Sequence, residues 1–355
     1  FGLKNLLFPD YVCALVAARR TGRPVRWVAG ASEEFSGAVH GRDLRAKARL
    51  ALDAEGRFIG LDVETVADMG AYLSAVGPHC PTNAFSTAMG GVYAIPAMHL
   101  TVRGAFTNTV PVDAYRGAGK PEANYIIERL VDAAARDIGA DPAALRARNM
   151  LPDAPRVTAM GMRIDGGHFA ANLEALERAS DSAGFPARRA AAAARGALLG
   201  RGIACFLETA RGAPGEWASA RIDPDGTATI AAGTHSNGQG HETSFPQFVA
   251  DRLGLPRIAF RQADTNLLVN GHGHGGARSL HMGGHALLLA AEALLAKARA
   301  IAAHLLQAEA EALDFAEGRF AVRGSDRFVD LTAIARAAAD PANLPEGMEP
   351  GLAAE

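Results

Sequence analysis

Residues 233 to 242 read Gly-Thr-His-Ser-Asn-Gly-Gln-Gly-His-Glu, three glycines set in a polar run. An alternating apolar stretch, Thr227 to Ala232, leads in, and a helical pattern, Thr243 to Leu253, leads out. A strand-to-helix turn of this kind gathers backbone amides at the positive end of a helix, where an anion binds well. Glycine lets the chain approach a ligand closely. Alone, the motif reads as an ordinary tight turn. A second loop adds weight: Gly271, Gly273, Gly275 and Gly276 precede Arg278 and Ser279, and a long helical pattern follows. Arginine, serine and amides at a helix start suit a phosphate group. The fragmentary Phe1-Gly2 is a third such loop. None carries the Gly-Lys-Ser/Thr of a Walker A loop or a Gly-x-Gly-x-x-Gly opening a βαβ unit. A bulky phosphate-bearing cofactor held by several separated loops is therefore expected.

Six histidines (His235, His241, His272, His274, His281 and His285) crowd the first and second of these regions. Their spacing matches no familiar ligand set, and no cysteine is near, so polar loop residues or hydrogen-bond donors to a ligand are expected rather than metal ligands. Arg116 stands before Gly117-Ala118-Gly119 at the entry to a helix. It either pairs with Glu122 or Glu128, or serves as a fixed cation that orients an oxygen-bearing substrate. Glu122 reads as a first-turn helix acid rather than a catalytic base.

The elements that must position these residues follow from periodicity. Helices are expected at Phe8–Arg20, Pro121–Ile138, Pro142–Asn149, His168–Ala183, Thr243–Leu253 and from His281 to about Leu313, with a last one from Asp330. Ala187–Ala197 is a helix tail or a linker. Leu44–Leu52 and Arg57–Ala67, joined by Asp-Ala-Glu-Gly, read as a hairpin. Further strands are expected at Val25–Val28, His99–Thr107, Leu199–Glu208, Trp217–Ile222, Thr227–Ala232 and Ile258–Gln262. Gly70–Gly91 reads as a long ordered loop. Strands and helices mix in both halves without clean βαβ repetition, which makes the chain α/β of mixed α+β character. A Pro/Asp-rich break at Leu151–Pro155 divides it into subdomains 1–152 and 153–355.

With 355 residues, 49% hydrophobic and 21% charged, the chain can bury a sizeable core. A formal net charge of −2 gives no reason to expect nucleic acid or an anionic membrane as partner. The three cysteines, Cys13, Cys80 and Cys205, lie far apart with no Cys-x-x-Cys, which argues against a disulfide framework or thiolate metal site within the chain. No run of about 18 apolar residues occurs. The chain opens on Phe rather than Met and stops at Glu355 without a closing element, as a piece of a longer protein would.

The run Ala114-Tyr115-Arg116-Gly117-Ala118-Gly119-Lys120-Pro121-Glu122-Ala123 resembles the molybdenum-binding large subunit of the xanthine dehydrogenase/aldehyde oxidase family. So do Glu128-Arg129, Gly-Ala-Asp-Pro at 139–142, Arg146, Asn149, Gly233–Glu242, Gly273–Ser279 and the Phe-Gly-Leu-Lys start. The landmarks fall in the family's order over essentially the whole chain. The resemblance implies two molybdopterin-binding subdomains, truncated at the N-terminus and C-terminus respectively. Phe1 and Gly2 would lie near the molybdenum end of the cofactor. Gly238, Gln239 and Gly240 would bond the pterin or its phosphate, and Gly276, Ala277, Arg278 and Ser279 the phosphate or dinucleotide end. Arg116 would face the substrate, and no protein ligand would bind the metal.

It further implies hydroxylation of an aldehyde or N-heterocycle with water as oxygen source. Electrons would leave to an iron–sulfur subunit and an FAD-binding subunit. The cofactor would be molybdopterin, in the cytosine dinucleotide form, and the assembly a homodimer of heterotrimers. The cytoplasm is the expected compartment, the periplasm the alternative. Three departures stand out. The carbon monoxide-oxidising branch has a copper-binding Cys after Tyr-Arg, where this chain has Gly117. Ala277 replaces the usual Ser. The family's general-base Glu, in a Gly-x-Gly-Glu motif, is not in the chain. A non-catalytic cofactor-binding remnant is the alternative function.

Overall fold

The structure is a computed structural model that describes residues 7–210 and 212–355. The backbone clusters into two compact units that divide between Thr209 and Ala210.

In the first unit, helix α1 (Pro9–Thr21) and helix α2 (Ala31–Gly37) bury no residue. The strand expected at Val25–Val28 does not form among the described residues. The hairpin does form: β1 (Leu44–Leu52) runs antiparallel to β2 (Phe58–Gly70). β3 (Met98–Phe106) pairs with β2 in parallel. A parallel neighbour needs a crossover, and residues 71–97 supply it. That stretch is not the plain loop expected: Cys80–Ala84 winds as a wide π-type turn. Helix α3 (Lys120–Asp137) covers the sheet with Ala123, Ile127, Val131, Ala134 and Ala135, at the three- and four-residue spacing of one face. Helix α4 (Pro142–Asn149) follows, capped by Asp141, whose carboxylate accepts from the Ala143 and Ala144 amides. A two-residue ladder, β4 (Arg156–Val157) with β5 (Arg163–Ile164), comes next.

Helix α5 (Phe169–Ala179) stops four residues earlier than expected, because Asp181 takes a left-handed φ of 47°. Helix α6 (Phe185–Ala194) starts on a proline in its first turn. The stretch Leu199–Glu208, expected as a strand, pairs with no strand among the described residues. Its polar backbone bonds side chains on α3 instead. The Cys205 amide donates to Glu128 at 3.0 Å, and the Leu207 amide to Asn124 Oδ1 at 3.1 Å. Lys120 Nζ reaches Glu208 at 2.6 Å and the Thr209 carbonyl at 3.1 Å. Lys120, Asn124 and Glu128, four residues apart on α3, thus stand in for a neighbouring strand.

The second unit is built on a sheet of order β12-β6-β7-β8. β6 (Ala218–Ile222) and β7 (Ala228–Ala232) are antiparallel, and β8 (Ala259–Arg261) is parallel to β7. Helix α7 (His241–Leu253) makes that crossover, so one βαβ unit exists despite the lack of repetition. Helix α8 (His285–Leu306) packs across the sheet through Leu287, Ala291, Leu294, Ala298 and Ile301. It is shorter at both ends than periodicity suggests. Ser279–Gly284 is a π-type turn, and Gln307 closes the helix with φ 47°. A three-stranded sheet of β9 (Leu313–Ala316), β10 (Arg319–Val322) and β11 (Phe328–Asp330), helix α9 (Leu331–Ala337) and edge strand β12 (Leu352–Ala354) complete it.

Candidate functional site

The Gly233–Glu242 loop leaves the carboxyl end of β7 and enters α7. In open α/β sheets this is where ligands bind. Gly238 and Gly240 have φ of 100° and 82°, and a side chain on either would meet nothing within 4 Å. Their freedom is used for backbone direction rather than close packing. Gln239 folds back on the loop: its Oε1 accepts from the Asn237 amide and its Nε2 donates to the His235 carbonyl at 3.2 Å. The amides of Gln239, Gly240 and His241 have no acceptor among the described residues. Those three donors lie at the start of a 13-residue helix.

The second glycine loop packs on the first. Gly233 and Gly271 lie back to back; a Cβ on Gly233 would come within 2.6 Å of the Gly271 Cα. The hydroxyls of Thr234 and Ser279 are 2.7 Å apart, both buried. Asn237 Nδ2 is 3.1 Å from the His274 ring nitrogens, and the His235 and His274 rings meet edge to face at 5.1 Å. His241 stacks on Phe245 at 4.4 Å, and its buried Nδ1 has no hydrogen-bond partner. Burial pulls the His241 and His274 pKa values down, with neighbouring histidines adding to the effect. Among the described residues no group of three or more His, Cys, Asp or Glu could hold a metal ion.

Gly276 and Ala277 lie in the left-handed region, with φ of 91° and 60°. The guanidinium of Arg278 is fully buried and bonded within the protein. It pairs with Glu216, itself 1% exposed at its side chain, and donates to the carbonyls of Gly215, Gly273 at 3.0 Å and Ala213 at 3.2 Å. Glu216 is a residue that sequence reading missed; only its glycine-flanked position hinted at it.

Arg116 belongs to the first unit. Its turn takes three successive left-handed residues, Gly117 (φ 97°), Ala118 (φ 48°) and Gly119 (φ 94°). A Cβ on Gly119 would overlap the Cys80 carbonyl oxygen, and one on Gly117 would overlap Pro121. Neither expected ion pair of Arg116 forms. Glu122 lies 4.0 Å from Arg42, and Glu128 pairs with the buried Arg146 and accepts from Tyr93. Arg116 is exposed, and its guanidinium has no partner among the described residues. Phe1 and Gly2 lie outside the described residues. Burial beside Asp113 and Glu122 raises the Cys80 thiol to about 12, so it is inert.

A family model described as "Molybdopterin cofactor-binding domain" matches residues 1–150, and a second of the same description matches residues 175–355. The chain belongs to the molybdopterin-binding domains of the xanthine dehydrogenase family. It is 37% identical to the carbon monoxide dehydrogenase large chain of Hydrogenophaga pseudoflava, over 100% of this chain and 46% of that protein. It is 34% identical to the 6-hydroxypseudooxynicotine dehydrogenase complex subunit gamma of Paenarthrobacter nicotinovorans, again over 100% and 46%. The crystal structure of quinoline 2-oxidoreductase from Pseudomonas putida 86 superposes with a TM-score of 0.87 at 31% identity, covering 100% of this chain and 47% of that one. The chain thus spans about half the length of the curated relatives it matches. The mixed helices and sheets are those of this molybdopterin-binding fold.

The loops fit such a cofactor. Three unbonded amides at a helix start suit an anionic or carbonyl-rich group, and the glycines leave open space beside them. The relatives are oxidoreductases, several of them named as subunits or chains of larger complexes. No helix among the described residues is long and apolar enough to cross a membrane.

Proposed function

We propose that the chain is the molybdopterin-holding part of a molybdenum hydroxylase that oxidises an N-heterocycle or aldehyde with water as the oxygen source. The observation that carries the reading is the set of unbonded amides of Gln239, Gly240 and His241 at the head of α7. They suit the pterin or its phosphate, with Gly238 shaping the approach. Gly276, Ala277 and Ser279 would serve the phosphate or dinucleotide end through their backbone, the Ser279 hydroxyl being held by Thr234. Arg278 would brace that loop from beneath, since its guanidinium is spent on Glu216 and carbonyls. Phe1 and Gly2 are assigned to the metal end by resemblance alone. When bound, the cofactor supplies two-electron oxidation of an electrophilic carbon.

Arg116 would orient the substrate. An exposed guanidinium with no partner among the described residues is free to bind a ring nitrogen's or carbonyl's developing negative charge. The Gly117–Gly119 turn argues against carbon monoxide as substrate in spite of the 37% identity to a carbon monoxide dehydrogenase chain. A copper-binding cysteine at 117 would carry its Cβ into Pro121 at a φ of 97°. Partner subunits carrying iron–sulfur clusters and FAD, a cytosine dinucleotide cofactor, a dimer of heterotrimers and a cytoplasmic location complete the reading, all by analogy with the family.

The test is turnover of quinoline and benzaldehyde by the full-length protein with its partner subunits in ¹⁸O-labelled water. Label in the product is expected. Unlabelled product, or turnover of carbon monoxide alone, contradicts the reading.

A further inference from the structure

Among the described residues Arg116 is an unpartnered cation on a turn of three left-handed residues, and such a turn holds its shape only if something else holds it. Arg42 does so from 74 positions away in sequence. Its Nη2 donates to the Arg116 carbonyl. Its guanidinium lies 4.5 Å over the Tyr115 ring, a cation–π contact. Its Nε is 4.0 Å from Glu122 Oε2, a buried oxygen with no hydrogen-bond partner. Arg42 therefore engages the residue before Arg116, the carbonyl of Arg116 itself and the first turn of the helix beyond.

The surrounding glycines are shaped to this contact. A Cβ on Gly41 would stand 2.6 Å from the Tyr115 Cβ, and one on Gly117 would lie 3.6 Å from Arg42 Nη2. Arg42 itself takes a φ of 58°, a conformation that non-glycine residues adopt at a cost. A strained backbone, a bare glycine and a stacked guanidinium all serve the placing of one carbonyl. We propose that Arg42 is a positioning residue for substrate binding. It fixes the turn so that the Arg116 guanidinium is presented in one direction, with Glu122 balancing the Arg42 charge. The inference rests on the assignment of Arg116 to substrate orientation.

The experiment uses the full-length protein with its partner subunits, with quinoline and benzaldehyde as substrates and dichlorophenolindophenol as acceptor. Arg116→Ala raises KM if the Arg116 assignment is right. Arg42→Ala then raises KM roughly tenfold while kcat per bound molybdenum stays within about twofold. The double variant is no worse than Arg116→Ala, because both changes remove one function. Arg42→Lys keeps the charge but not the planar fork, so it retains cofactor and does not restore KM.

Amide exchange followed by mass spectrometry reads the same point without turnover: residues 114–119 exchange faster in Arg42→Ala. Gly41→Ala leaves every polar group in place and should raise KM as well, which covers the case of poor folding. A raised KM in Arg116→Ala beside an unchanged KM and unchanged exchange in Arg42→Ala overturns the role of Arg42. An unchanged KM in Arg116→Ala overturns the assignment of Arg116 itself.

Discussion

The hydroxyls of Thr234 and Ser279 meet at 2.7 Å in a buried position, and through them the two glycine loops of the second unit act as one piece. Removing one partner leaves the other without a hydrogen bond away from water. Thr234→Val should cost about 1–3 kcal/mol of stability. Chemical denaturation checks the loss, and faster pterin release from the loaded protein checks its effect on the site. Serine at 234 should recover much of both.

Arg278 and Glu216 form a buried ion pair, exposed by 0% and 1% at their side chains. Truncating one partner strands the other's charge. Arg278→Ala is expected to destabilise the second unit by about 3–5 kcal/mol. Replacing both by apolar residues of similar size should be milder than either single change. A double variant as unstable as the sum of the singles would contradict the pairing.

Gly117→Cys is the direct attempt to build a copper-binding position into this chain. The backbone there has a φ of 97°, and the new side chain would overlap Pro121. The variant is expected to lose substrate affinity, to bind no copper and to oxidise no carbon monoxide. Copper analysis and a carbon monoxide assay check it.

Burial holds the His241 and His274 pKa values below their ordinary 6.5. The unfolded chain therefore takes up protons at these sites before the folded one does. The stability these residues lend is present above pH 6.5 and falls away as pH drops from there toward their folded values. Melting temperature measured from about pH 7.5 to about pH 5 should decline more steeply in the native protein than in His241→Gln. Parallel curves would show that His241 contributes nothing to the decline.

Local patterns made much of this molecule legible. The hairpin β1–β2, helix α3 with its three- and four-residue apolar spacing, and the Gly233–Glu242 turn between β7 and α7 all follow from short-range signals. Long-range choices did not. Leu199–Glu208 has a strand's composition, yet its amides found Asn124 and Glu128 on a helix rather than a strand. Glu122 and Glu128 looked like partners for Arg116 by proximity, but Arg42 and Arg146 reach them across the fold. Arg278 looked like an anion ligand, and nothing in its neighbourhood announced Glu216, 62 residues away. Charge pairing depends on which segments meet in space, which periodicity does not encode.

The central claim is that the glycine loops of this chain hold a molybdopterin. The direct measurement is the molybdenum and oxidised-pterin fluorescence of the full-length protein, matured in a competent host, beside Gln239→Ala. Pterin and metal in equal amounts, close to stoichiometric with the chain and clearly reduced in the variant, are predicted. Absence of both from properly matured native protein would contradict it.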